Sequence, residues 1–344
     1  MKLERRQFLT ALGACAGAAA FGSRAFANAP FVVPTYGGTW AKFWEETLMP
    51  GLTKATGIPT QLDIGLGKDF VSKIRAGGDQ APYSVFMGNE NIAAMLRAEG
   101  FFEPLDMAKL PNAAQLHDGL VNTGNNGLRA IVSPIGLAYR TDMVKDAPTS
   151  WTDLWENPEF KERIGLYQIG NTGAQLFLRP TGKLFGSGDT DFDTAFKKIQ
   201  ELVPFTQASW SGEVAAGLMR GDVIVAPVDW TEIMMLQDKG APVAIVAPKE
   251  GVLAFEQSFN IVKTGAMKDE AHAYINYLID KDVQANMAQA FYTSPSNKDS
   301  VLDPALAARL PINGPKMSEI IRFDWDSYVD LAPAVTDRWN REIG

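Results

Sequence analysis

The residues of this sequence that could carry chemistry are acids next to aromatic rings. Asp229-Trp230 follows an apolar run, and Phe255-Glu256 follows a loop that contains glycine. A carboxylate beside an aromatic face suits an alkylammonium group, which gains a charge-assisted hydrogen bond and a cation–π contact there. Taken singly, each pair is more often core packing beside a surface acid.

A second candidate binding segment is Tyr36-Gly37-Gly38-Thr39, between the first predicted strand and the first predicted helix. Open α/β sheets bind ligands at the carboxyl ends of their parallel strands. Gly38 lets a ligand approach the backbone, and the free N–H groups of a helix start favour a carboxylate or similar anion. A glycine-rich turn with Thr39 as N-cap fits the segment equally well.

The sequence lacks the common enzyme motifs GxGxxG, GxxxxGK[ST], HExxH and GxSxG. Its two histidines, His117 in a predicted loop and His272 on a predicted helix, are typical of structural or solvated positions. We therefore expect no enzyme activity, no cofactor and no metal site. Two other classes stay open: a secreted α/β hydrolase or lyase that uses carboxylates, and an adhesin or structural envelope protein.

Alternating strands and helices must position these residues. Such alternation predicts right-handed βαβ units around a mostly parallel sheet. The predicted strands lie at 31–33, 58–64, 83–87, 164–167, 222–226 and 243–246, and the predicted helices at 40–48, 68–76, 91–99, 192–202, 269–278 and 283–291. A length of 344 residues favours two domains, because single cores rarely keep growing beyond about 250–300 residues.

Composition excludes several classes of protein. A hydrophobic content of 46%, with 10% aromatic residues, supplies a core and excludes bulk disorder. A net charge of −8 argues against nucleic acid or an anionic membrane as the main partner.

Residues 1–27 are typical of an export signal. Arg5-Arg6 resembles the twin-arginine signal, and the apolar run at 8–22 is too short to span a membrane. Ala25-Phe26-Ala27 fits an A-x-A cleavage site, so we predict a periplasmic protein. Cleavage there removes four basic residues and one acid, and changes the net charge from −8 to −11.

Leu12-Gly13-Ala14-Cys15 offers an alternative, because it resembles a lipoprotein cleavage box that would leave Cys15 acylated as a membrane anchor. Its position in the middle of the apolar run and the better site at Ala27 favour cleavage at Ala27. The exported chain then contains no cysteine, which excludes thiolate chemistry.

Four further segments, in their order and spacing, resemble the solute-binding proteins of bacterial ABC importers, and among them the spermidine/putrescine-binding type. Singly these segments are weak signals, but together they are specific. They are Trp151–Trp155 with Pro158 and Lys161, then 221–223, then 240–251, and finally 271–278 with 282–284.

The resemblance implies an α/β periplasmic binding protein fold of type II. Lobe 1 would comprise residues 28–133 and 256–310, lobe 2 residues 134–255, and the segment 311–344 would pack across both. Hinge closure would trap a ligand between the lobes of a monomer, which a permease and its ATPase then recognise.

The resemblance also implies the residues of the ligand site. By position they are Tyr36, Asn89, Glu90, Trp210, Asp229 and Trp230, and the residue patterns above add Gly38, Thr39, Phe255 and Glu256. Gln168 and Gln257 stand where the polyamine binders have acids, which points to a ligand with fewer amines. A polyamine, a 4-aminobutyrate-like amino acid and an aminophosphonate all remain candidates. A ferric-ion binder is disfavoured, because the sequence lacks a Tyr-Tyr pair.

Overall fold

The computed structural model describes residues 29–344, so the predicted export signal and the Cys15 box lie outside the described residues. Apolar runs rich in β-branched residues form the strands. The strands are β1 (Phe31–Thr35), β2 (Thr60–Ile64), β3 (Val85–Asn89), β4 (Phe102–Glu103), β5 (Leu128–Arg140), β6 (Gly165–Tyr167), β7 (Thr206–Ala208), β8 (Val225–Asp229), β9 (Val243–Val246), β10 (Leu253–Val262) and β11 (Ser294–Pro295).

Amphipathic segments between these strands form the helices. They are α1 (Thr39–Phe43), α2 (Met49–Thr56), α3 (Gly67–Gly77), α4 (Glu90–Ala98), α5 (Asp153–Glu156), α6 (Thr172–Phe185), α7 (Phe192–Gln200), α8 (Ser211–Arg220), α9 (Trp230–Asp238), α10 (Lys268–Leu278), α11 (Lys281–Phe291), α12 (Pro304–Arg309) and α13 (Ala332–Glu342). A π-helical turn, Trp44–Leu48, joins α1 to α2. Within residues 29–344, none of the helices has the length and apolar character needed to cross a lipid bilayer.

The long strands β5 and β10 form the centre of the structure. They pair antiparallel, from Leu253 opposite Ile135 to Phe259 opposite Leu128, with an irregularity between Gln257 and Ser258. β3 pairs antiparallel with β10, whereas β8 and β9 pair antiparallel with β5. The parallel pairs are β1 with β2 and β6 with β7. The prediction of a mostly parallel sheet is therefore wrong for the central sheet of the described residues, because β5 and β10 run antiparallel to each other and to the shorter strands that pair with them.

Two main hydrophobic cores flank this central pair. The first contains residues of β1, β3, α2, α10 and α11, with Trp44 and Tyr274 at its centre. The second contains residues of β6, β8, α6 and α7, with Trp151 and Phe177 among its largest side chains. A smaller cluster around Phe70 lies beneath α3 and α4.

The C-terminal segment contributes to both cores. Ile312, Met317 and Ile320 pack into the first, and Trp325 and Trp339 into the second. A parallel bridge pairs residue 320 with residue 252, at the start of β10.

One arginine anchors this segment to α6. Arg179 is 2% exposed, and its guanidinium carbon lies 4.5 Å from the ring centroid of Phe323 and 5.2 Å from that of Trp325. Its Nη1 donates to the carbonyl oxygen of Asp324 at 2.9 Å, and its Nη2 pairs with Asp189. Stacking and hydrogen bonding together compensate the burial of this charge.

We predict that Trp339→Ala lowers the free energy of unfolding by about 3–5 kcal/mol, because it leaves a cavity in the second core. Trp339 is 1% exposed and packs against Phe196. Trp210→Ala is the matched control: that ring is 58% exposed, so the expected change is within about 1 kcal/mol. Urea denaturation of both variants measures the effect. Equal midpoint shifts for the two would contradict the proposed role of the C-terminal helix.

Candidate functional site

The candidate site lies where several strands end and the next helices begin. Tyr36 follows β1, Asn89 ends β3, Tyr167 ends β6 and Asp229 ends β8. Gln257 of β10 lies opposite Asn89 in the antiparallel register. These ends meet in space, because direct side-chain contacts join them across the boundary between the two cores.

Three side chains on the side of the first core form a hydrogen-bonded row. The Tyr36 hydroxyl donates to Oε1 of Gln257 at 2.7 Å, and Nε2 of Gln257 donates to Oδ1 of Asn89 at 2.8 Å. Burial raises the pKa of Tyr36 above its usual value of 10.0, so the phenol stays neutral and remains a donor. Its ring lies edge-on to that of Trp40, with the ring centroids 6.3 Å apart.

The row continues across the boundary between the cores. Nδ2 of Asn89 donates to Oγ1 of Thr172 at 3.2 Å, and that hydroxyl donates to Oδ1 of Asn91 at 2.9 Å. Nδ2 of Asn91 then donates to Oε1 of Gln175 at 3.0 Å. We call the six side chains the polar relay; its members are Tyr36, Gln257, Asn89, Thr172, Asn91 and Gln175.

Two acids on the side of the second core have no basic partner. Asp229 caps α9, because its Oδ1 accepts from the backbone N–H of Glu232 at 3.1 Å. Within residues 29–344, no lysine, arginine or histidine nitrogen lies within 4.0 Å of either carboxylate. Burial raises the pKa of Asp229. Burial, followed by the charge of Asp229, raises the pKa of Glu232 to about 7.

Aromatic residues lie next to this acidic pair. The Tyr167 hydroxyl is 2.8 Å from Oγ of Ser211, at the start of α8. The ring of Tyr167 packs edge-on against Phe255, with centroids 5.9 Å apart. Burial and then the charge of Asp229 raise the pKa of Tyr167 well above its usual value, which indicates that Tyr167 and Asp229 are close neighbours.

The acids Glu90 and Glu256, both expected to contact a ligand, are buried in ion pairs instead. Oε1 of Glu90 accepts from Nη2 of Arg97 at 2.6 Å. Oε1 of Glu256 accepts from Nε of Arg322 at 2.7 Å, and its Oε2 is 3.6 Å from Nε of Arg129. Arginines therefore compensate both charges, and among the described residues Oε2 of Glu90 has no hydrogen-bond partner.

The remaining predicted site residues take several positions. Trp230 is buried, and its Nε1 donates to the carbonyl oxygen of Arg309 at 2.9 Å. Trp210 is exposed at the start of α8, with its ring over Gly212. Gly38, with φ of 65°, is the N-cap of α1. The exposed Thr39 is the first residue inside that helix, so the interpretation of Thr39 as N-cap is wrong.

Sequence reasoning missed Asn91, Thr172, Gln175 and Glu232. Glu232 carried one usable signal, because an acid three residues after an N-cap is typical of a helix start. Its burial beside Asp229 follows only from the packing of α9. Among the described residues no cluster of three or more histidine, cysteine and acidic side chains could bind a metal ion.

Comparison with known proteins identifies relatives along most of the chain. A family model described as bacterial extracellular solute-binding protein matches residues 81–317. A spermidine/putrescine-binding periplasmic protein of Salmonella typhimurium is 26% identical over 317 residues, which cover 87% of this chain and 89% of that protein. A gamma-aminobutyric acid-binding protein of Pseudomonas aeruginosa is 24% identical over 320 residues, 90% of this chain and 89% of that protein.

A solved structure of an ABC transporter protein from Clostridium perfringens matches with a TM-score of 0.79 and 25% identity, over 91% of this chain and 100% of that chain. These matches confirm the predicted fold class, a two-lobed α/β periplasmic binding protein fold of type II. They also place the chain among transport proteins that bind solutes, and not among enzymes.

We predict that the stability of the ligand-free protein falls as the pH rises from about 4.5 to 7, with a contribution from Glu232. The folded protein holds a proton on Glu232 up to a pKa of about 7, compared with the ordinary value of 4.5. The folded state therefore binds more protons than the unfolded state in this window, and a rise in pH removes that advantage. Above pH 7 the contribution becomes constant.

Melting temperatures of the ligand-free protein at pH 5, 6, 7 and 8 test this assignment. Glu232→Gln should flatten the decline, whereas Glu45→Gln, which changes an exposed glutamate before α2, should leave it intact. If Glu232→Gln showed the same slope as the unchanged protein, the assignment to Glu232 would be wrong.

Proposed function

We propose, since this chain belongs to the bacterial extracellular solute-binding protein family, that it captures a small amine-containing solute in the periplasm for an ABC importer. The export signal predicted at residues 1–27 agrees with that location, by the twin-arginine route. The protein would deliver its solute to the permease and ATPase subunits as a monomer.

The observation that carries this proposal is the uncompensated pair Asp229 and Glu232. Withdrawing an acid from water without a partner is costly. Asp229 and Glu232 are half-buried without one, whereas the buried acids near the site, Glu90 and Glu256, have arginine partners. A ligand ammonium group would supply the missing positive charge. The rings of Tyr167 and Phe255 beside the pair suit its attached methylene groups.

The neutral side of the site limits the number of amines that the ligand can carry. Gln257 and Asn89 present amides, and the Tyr36-Gly37-Gly38 segment presents an aromatic ring and backbone. The acids Asp229 and Glu232 on one side of the site, with neutral amides and an aromatic ring on the other, favour a solute that carries one ammonium group at one end. A 4-aminobutyrate-like amino acid fits best, and putrescine, spermidine and an aminophosphonate are the competing solutes.

Hinge closure would trap the solute. β5 and β10 connect the two lobes, taken as residues 28–133 with 256–310 and residues 134–255. A small rotation about these strands would separate the ends of β1 and β3 from those of β6 and β8. We take the arrangement described here, with the polar relay intact, as the closed state of this proposal.

We predict that 4-aminobutyrate, or another amine in a panel with putrescine, spermidine and 3-aminopropylphosphonate, raises the melting temperature. Butyrate, which lacks the amine, should not. Asp229→Asn should then weaken binding of the stabilising amine by roughly tenfold or more, because a hydrogen bond to a charged group contributes about 1.5–3 kcal/mol. Isothermal titration calorimetry measures this loss.

Asp222→Asn is the matched control, since Asp222 is an exposed acid of the same region that pairs with Arg220. It should bind the amine as the unchanged protein does. Stabilisation by butyrate to the same extent, or equal affinities of Asp229→Asn and the unchanged protein, would overturn the assignment of the amine to Asp229.

A further inference from the structure

The polar relay joins the two lobes through side chains without net charge. Its members come from the end of β1, the end of β3, the start of α4, the middle of β10 and the first turn of α6. Among the described residues, it forms a continuous series of hydrogen bonds from Tyr36 to Gln175.

Thr172 connects the two lobes, because it lies in lobe 2 and bonds to Asn89 and Asn91 of lobe 1. Its hydroxyl accepts from Asn89 and donates to Asn91, so both of its hydrogen-bonding roles are already filled by the opposite lobe. Thr172 is 7% exposed and begins α6, which Asn171 caps by accepting from the backbone N–H of Gly173 at 2.7 Å. The cap fixes the start of α6, and with it the direction of the Thr172 hydroxyl.

Gln257 connects Tyr36 to Asn89, which in turn bonds to Thr172 of the other lobe. Its amide accepts from Tyr36 and donates to Asn89, and it is 7% exposed. A glutamate at this position would lack the donor at neutral pH and would place its charge next to Oδ1 of Asn89. The amide is thus the side chain that completes the relay.

We propose that the polar relay is a latch that forms only when the lobes close, with Thr172 as its positioning residue. This inference rests on the proposed function, because a latch has meaning only in a protein that closes over a solute. Thr172 and Asn91 are not among the residues placed against the ligand. Hydrogen bonds that Thr172 makes in the closed state alone therefore shift the open–closed equilibrium and leave the ligand contacts unchanged. They thus strengthen the binding of every solute that closes the protein by the same factor.

Thr172→Val tests the latch, since valine keeps the shape of threonine and removes both hydrogen bonds. The probes are 4-aminobutyrate and putrescine. For each probe that binds, we expect affinity to fall roughly five- to thirty-fold, as for the loss of one or two hydrogen bonds, with the ratio of the two affinities preserved. Thr181→Val on the same helix is the matched control, because its hydroxyl bonds only to the carbonyl oxygen of Phe177. That variant should stay within about twofold.

Asn91→Ala gives an independent route if Thr172→Val fails to fold. It removes the acceptor of the Thr172 hydroxyl and the donor to Gln175, and should weaken both probes by a common factor.

Closure itself is measured with spin labels at Lys54→Cys and Lys183→Cys, exposed positions in the two lobes of an exported chain without other cysteines. At saturating probe the unchanged protein should give one short distance, and Thr172→Val should add a longer one. If neither probe, nor any amine of the panel, binds the unchanged protein, the proposed function fails. If a probe binds and Thr172→Val or Asn91→Ala leaves its affinity and the distance unchanged, only the latch is wrong.

Discussion

The antiparallel pairing of β5 with β10 fixes the position of almost every group in the site, because both cores are built against these two strands. Successive residues of a strand face opposite sides of a sheet. Glu256 therefore points to Arg129 and Arg322, whereas Gln257 points to Tyr36 and Asn89. A slip of one residue would exchange these side chains and would bury a carboxylate among amides. The register thus separates a compensated ionic cluster from a row of neutral, hydrogen-bonded side chains.

Charge compensation distinguishes two pairs of acids near the site, the buried Glu90 and Glu256 and the half-buried Asp229 and Glu232. Glu90 and Glu256 have arginine partners, and their charges hold α4, β10 and the C-terminal segment together. Among the described residues, Asp229 and Glu232 have no lysine or arginine within 4.0 Å, although the charge of Lys239 lowers the pKa of Glu232 and a hydrogen bond from Ser211 lowers that of Asp229. The two pairs therefore differ in how much of the balancing positive charge the chain itself supplies.

The alternation of strands and helices was sufficient to predict the α/β fold, and the positions of Tyr36, Asn89 and Asp229 at strand ends followed from it. The roles of Glu256 and Trp230 could not be predicted, because their partners Arg322 and Arg309 are far away in the sequence. Local pattern also gave no indication of the polar relay, which needs the register of β10 on β3 and the approach of α4 to α6. At Gly38 the positive φ decided the cap in favour of glycine.

Neither core is contiguous along the chain. The first requires β10, α10 and α11 in addition to residues 31–132, and the second requires Trp325 and Trp339. The middle of the chain therefore leaves the ribosome before all the residues of either core have been synthesised. The usual order of folding, in which an N-terminal domain is finished while the rest is still being made, does not apply to such a chain. Folding must follow translation, and the newly made polypeptide has to stay unaggregated until residues 325–339 arrive.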